Sequence, residues 1–151
     1  AAGSGFDGEP LEWHVAARDG EDLRCALPAG EWDLLVDVLS GYAPLELRGV
    51  TVRGDTRVPD AVFTRGSTLR VEILTAADAD PPRISIHARH AGIPLLGRLT
   101  NSRGEADCLL HGIGAGPYHI DVRSHGQDIA WQERLIEFDG RSEVVLQLDL
   151  R

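Results

Sequence analysis

Apolar and polar residues alternate along most of this chain, and no stretch repeats with the 3.6-residue period of a helix. Alternation of period two predicts half-buried strands. In the rear half the pattern predicts seven strands: Leu69-Val71-Ile73, Ile84-Ile86-Ala88, Leu95 to Thr100, Ala106 to Leu110, Tyr118-Ile120-Val122, Ala130 to Phe138, and Val144-Leu146-Leu148-Leu150. Turn-forming clusters separate them: Asp78 to Pro82, Ser102-Arg103-Gly104, Gly112 to Pro117, His125-Gly126 and Asp139-Gly140. Short strands with turn signals at such spacing read as a β-sandwich. The front half predicts five: Leu11-Trp13-Val15, Leu23 to Leu27, Trp32-Leu34-Val36-Val38, Leu45-Leu47-Val50-Val52, and Val58 to Phe63. Pro59 makes the last of these bent or an edge strand.

The two halves repeat one another. Gly8-Glu9-Pro10-Leu11, Val15 and Gly20-Glu21 match Gly92-Ile93-Pro94-Leu95, Leu99 and Gly104-Glu105 at a constant offset of 84. With small gaps the match continues: Cys25 with Cys108, Gly30-Glu31-Trp32 with Gly116-Pro117-Tyr118, Gly41 with Gly126, and Val52-Arg53-Gly54 with Phe138-Asp139-Gly140. The second copy carries about two strands before this stretch, over residues 68 to 90, whereas the first has only Ala1 to Gly5 in the same place. The repeat therefore predicts an extended segment at 1–10, reaching as far as 17, an incomplete sandwich at 11–66, and a complete seven-stranded one at 67–151.

Composition narrows the partners. The net charge is −9, from 24 acidic against 15 basic residues, which argues against nucleic acid or an anionic membrane surface. All the basic residues are Arg. No apolar run approaches the ~20 residues of a spanning helix. There is no Met, so either a leader was removed or the chain is a fragment; the opening Ala-Ala-Gly-Ser fits the mature side of a signal-peptidase cut, and export is the expectation. Cys25 and Cys108 hold equivalent places in the two copies, which favours two small buried thiols and leaves a disulfide open.

Leu27-Pro28-Ala29-Gly30-Glu31-Trp32-Asp33-Leu34-Leu35-Val36, followed by Ser40-Gly41-Tyr42-Ala43-Pro44, resembles the carboxypeptidase regulatory-like domain of the transthyretin-like and Cna-B-like group. The second copy keeps a weaker form in Gly112 to Val122, with the preceding Ser102-Arg103-Gly104-Glu105 turn. The resemblance implies an all-β fold of two tandem Ig-like/transthyretin-like β-sandwich domains, the first lacking about two N-terminal strands. It also implies a structural, spacer or adhesive module with no catalytic residues. The residues agree: Gly30 and Gly116 suit the positive φ of a tight turn, and Trp32 and Tyr118 start strands with large rings. The Lys–Asn isopeptide cross-link of some Cna-B-like domains cannot form here, because the chain has no Lys.

No other chemistry stands out. His87 and His90 point to opposite faces of a strand, and neither Cys-x-x-Cys nor His-Glu-x-x-His occurs. Asp78 and Asp80 form an acidic turn without the EF-hand pattern. Turn residues Ser40, Ser67 and Ser142 lie in no Gly-x-Ser-x-Gly elbow, and the Gly112 to Gly116 run has no Lys or helix after it. The expectation is a protein without enzymatic activity, metal or cofactor. Asn101-Ser102-Arg103 is not a sequon. Thr56, Thr75 and Ser102 are candidates for O-linked sugar, and Trp131 reads as core or as a sugar-stacking platform.

An incomplete sandwich exposes backbone groups and an apolar seam that a strand from another molecule can cover. The expected function is therefore a structural protomer of an extracellular or cell-surface fibre. Its copies would polymerise head to tail as the N-terminal segment inserts into a neighbour, with Phe6, Leu11, Trp13 and Val15 at the inter-subunit interface. A helical homopolymer follows when such contacts do not close. The alternative is a spacer or a carbohydrate- or protein-binding module of a larger exported protein.

Overall fold

A computed structural model describes residues 17–19, 22–37, 41–58, 60, 62–93, 96–124 and 133–151. The described residues contain no helix and build eleven strands: β1 (Ala17–Asp19), β2 (Asp22–Arg24), β3 (Gly30–Val36), β4 (Leu45–Val52), β5 (Ser67–Leu74), β6 (Ile84–His90), β7 (Gly97–Asn101), β8 (Asp107–Ile113), β9 (Ala115–Ser124), β10 (Arg134–Asp139) and β11 (Glu143–Asp149). The chain forms two compact units. The front unit is Ala1–Val38 with Pro44–Phe63, and the rear unit is Leu39–Ala43 with Thr64–Arg151.

In the rear unit, strands β5 to β11 make two sheets, ordered β10-β9-β6-β7 and β11-β5-β8. Their inward side chains form one core: Leu69, Val71 and Ile73 of β5, Ile84, Ile86 and Ala88 of β6, Cys108, Leu110 and Ile113 of β8, Tyr118, Ile120 and Val122 of β9, and Phe138 of β10. Two sheets enclosing one apolar layer is the sandwich arrangement that alternation predicts. Tyr118 meets Phe138 edge-to-face at 5.6 Å and His90 at 5.0 Å. The strand order is not that of an antibody constant domain, where the first strand lies beside the second. Here β5 pairs antiparallel with β8 and parallel with β11, with Glu143 opposite Thr68 and Asp149 opposite Leu74.

Asp139 ties the β10–β11 turn. Its carboxylate accepts the Ser142 hydroxyl, the backbone N–H groups of Ser142 at 2.7 Å and Arg141 at 2.9 Å, and the Ser67 hydroxyl at 3.2 Å.

The described part of the front unit contains two separate two-stranded antiparallel sheets, β1-β2 and β3-β4. In it only Leu34 and Leu35 are fully buried apolar residues. The described residues of Val58 to Phe63 form no strand, which corrects the fifth predicted strand. Pro59 supplies the reason, since it removes a ladder donor at the second position of that run.

A candidate strand-accepting edge

Two strand pairs, one in each unit, share a backbone register. In the front unit Gly30 lies opposite Val52 and Trp32 opposite Val50. In the rear unit Gly116 lies opposite Phe138 and Tyr118 opposite Ile136. Gly30 matches Gly116 in sequence and Val52 matches Phe138, so β3-β4 is paired as β9-β10 is. Gly30 takes φ +155° and Gly116 φ +120°, and a Cβ at Gly116 would stand 2.8 Å from Nε2 of His90.

The two pairs differ on their far side. β9 is flanked by β10 and also by β6, with Ile86 opposite Val122 and Ala88 opposite Ile120. Among the described residues β3 pairs with β4 alone. Among the described residues, then, one side of β3 has no neighbouring strand, and Leu34 and Leu35 on it are buried while Trp32 and Val36 are half-buried.

Local chemistry holds β3 and β4 in shape. A bulge falls between Trp32 and Leu34. The Asp33 carboxylate there accepts the Gly49 backbone N–H at 2.8 Å, and the Trp32 indole donates to the Pro28 carbonyl at 3.0 Å. Beyond β4 the Thr56 hydroxyl accepts the Arg53 N–H at 2.9 Å and closes a turn. That turn brings Thr56 to Val58 back beside β4, leaving an open groove of about 490 Å³ lined also by Glu46, Arg48, Gly49 and Thr51. The bulge and the groove had no signal in the alternation pattern, because both depend on which strand lies alongside.

The predicted interface residues Phe6, Leu11, Trp13 and Val15, and also Trp131, lie outside the described residues. The three candidate sugar acceptors sit apart. Thr56 is exposed in the front-unit turn, and Thr75 is half-buried and donates to the Ala79 carbonyl at 3.0 Å. Ser102 is buried at 6% exposure, where its hydroxyl accepts the Ile84 N–H at 2.9 Å. That is a structural hydroxyl at the entry to β6, and a sugar there would have to displace it. Both cysteines are free, Cys25 half-buried and Cys108 buried. Among the described residues no cluster of His, Cys, Asp or Glu is arranged to hold a metal ion, and no helix is long and apolar enough to cross a membrane.

Comparison with known proteins adds little to this geometry. No family model matches the chain, and no curated protein matches it. A solved structure, "The Bacillus anthracis TIE protein", is similar over 88% of this chain and 26% of that one, at 16% identity and a TM-score of 0.37. The chain thus spans about a quarter of that structure's length.

Proposed function

We propose that the protein is a non-enzymatic structural protomer of an extracellular fibre, in which the N-terminal segment of one copy adds as a strand to the front unit of the next. One observation carries this reading: β9 is flanked on both sides, while its register-equivalent β3 is flanked on one side among the described residues. Isolated two-stranded sheets are marginal in water, so a third strand on β3 stabilises the front unit. The donor has the right pattern. Leu11-Glu12-Trp13-His14-Val15 reads apolar-polar-apolar-His-apolar, and so does Ile84-Ser85-Ile86-His87-Ala88, which fills the corresponding place beside β9. Main-chain pairing supplies affinity in such an addition, and the alternate side chains supply register. The resemblance to carboxypeptidase regulatory-like domains, common as structural parts of exported proteins, is in keeping with it.

The test is assembly of the purified chain. Electron microscopy and size-exclusion chromatography should show filaments that lengthen with concentration. A synthetic peptide of residues 1–17 should cap them, and Trp13→Glu should abolish them. Monomers at every concentration would favour the alternative, a spacer or binding module of a larger exported protein.

A further inference from the structure

We infer that the free edge of β11 is a self-complementary contact through which two copies of this chain pair antiparallel. The three-stranded sheet β11-β5-β8 has two edges, and they are not alike. On β8 the inward residues Cys108, Leu110 and Ile113 are all buried, at 6%, 4% and 0% exposure. On β11 and in the residue after it, Val144, Leu146, Leu148 and Leu150 pack against the same core yet remain partly exposed, as does Ile136 on β10. Among the described residues the core is open along β11.

The backbone there is a ready template. The Ser142 carbonyl accepts from Thr68, and the Leu150 N–H donates to Leu74, so the even-numbered residues of this stretch turn their backbone groups toward β5. Alternation then points the N–H and C=O groups of Glu143, Val145, Gln147 and Asp149 to the open side. β11 runs for seven residues in unbroken register with β5, with no Pro, Gly, Lys or bulge. Those are the devices that usually blunt an edge. Val145, the third of the seven residues of the strand, is 50% exposed on the outer face.

Charge placement selects a second copy as the occupant and sets the register. Arg141 stands four residues before Val145 and Asp149 four after it. A two-fold antiparallel pairing centred on Val145 sets Val145 against Val145. It also sets each Arg141 beside Asp149 of the other copy, and each Val144 against Leu146 of the other copy on the core side. Centring on Leu146 instead opposes Glu143 to Asp149, which is repulsive. Centring on Gln147 opposes Val145 to Asp149. A contact this short lies at the weak end of interface sizes, below about 1,200 Å² of total buried surface, so pairing is concentration-dependent.

The experiment is sedimentation velocity over a concentration series on the full chain and on Arg141→Glu, Asp149→Arg and the double swap, with hydrogen exchange read at the Val145 and Gln147 amides. The wild type should dimerise and protect both amides as concentration rises. Each single swap places like charges opposite each other twice per dimer and should weaken pairing about five- to tenfold. The double swap should restore it. The proposal is overturned if the two amides exchange equally fast at all concentrations, or if the single swaps pair like the wild type, or if the double swap fails to recover. Filaments grown by strand donation on β3 leave these amides unprotected, so the two readings fail separately.

Discussion

The guanidinium of Arg98, on β7, donates to the carbonyl oxygen of Tyr42 at 3.2 Å. The same group donates to the carbonyls of Gly112 at 3.2 Å and Gly97 at 3.1 Å. Beside it Tyr42 bridges to Arg65, and the Ala43 N–H donates to the Thr64 carbonyl at 2.9 Å. One cation thus gathers three backbone acceptors and holds Gly41–Ala43 within the rear unit. Charged hydrogen bonds of this kind contribute more than neutral ones. Arg98→Ala is expected to cost about 2 kcal/mol, measured by urea unfolding. A loss below about 0.5 kcal/mol, the range of an ordinary surface change, would remove this role.

Gly112 reports on the same junction from the other side. Its φ is +76°, and a Cβ there would lie 2.8 Å from the Gly41 carbonyl carbon and 2.9 Å from the Tyr42 oxygen. Gly41 has φ +80°, but its nearest new neighbour would be 4.0 Å away. Both alanine variants carry backbone strain, and only Gly112→Ala adds a clash with backbone. Gly112→Ala should therefore have the lower thermal midpoint of the two; equal midpoints would contradict the close approach.

Phe138 is 2% exposed and meets Tyr118 edge-to-face. Phe138→Ala should destabilise the rear unit by about 3–5 kcal/mol through the cavity and the lost ring contact. Leu135→Ala, three residues away on the same strand, should change stability by less than about 0.5 kcal/mol, since Leu135 is 64% exposed. Chemical denaturation of both variants checks the contrast.

Acid should loosen the ends of β10 and β11. The Ser142 hydroxyl, with the Ser142 and Arg141 N–H groups, holds the Asp139 carboxyl well below the usual carboxylate range. Arg151 holds Asp149 down to about 2 by hydrogen bonding and charge. A carboxyl depressed on folding contributes stability that is present above its unfolded pKa and lost as pH falls through the folded one. The urea midpoint should therefore fall as pH drops from about 4 toward 2. Ser142→Ala removes the largest cause at Asp139, so the variant should be less stable near neutral pH and lose less on acidification than the wild type. An unchanged profile would discount the turn.

The two thiols should react at different rates. Burial pushes the Cys108 thiol up, partly offset by a hydrogen bond with Thr100, whereas Cys25 is half-buried. Thiolate is the reactive form. A thiol reagent should modify Cys25 in the native protein and reach Cys108 only after unfolding. Two fast equivalents would contradict the buried placement.

Alternation located the seven strands described in the rear unit, because a residue's neighbours two places along share its face and the core selects that face, but it read Gly112 to Pro117 as a turn where β8 runs to Ile113 and β9 starts at Ala115. Gly30 and Val52, matched in sequence to Gly116 and Phe138, also lie opposite one another as those two do. Pairing partners were not legible. That β11 lies parallel to β5, that the described residues of Val58 to Phe63 make no strand, and that Ser102 is buried at the entry to β6 all depend on residues distant in the chain. The pleat decides which side chains look inward, but backbone hydrogen bonds carry no side-chain code. Only the assembled sheets decide which strands lie side by side, as β5 does between β11 and β8.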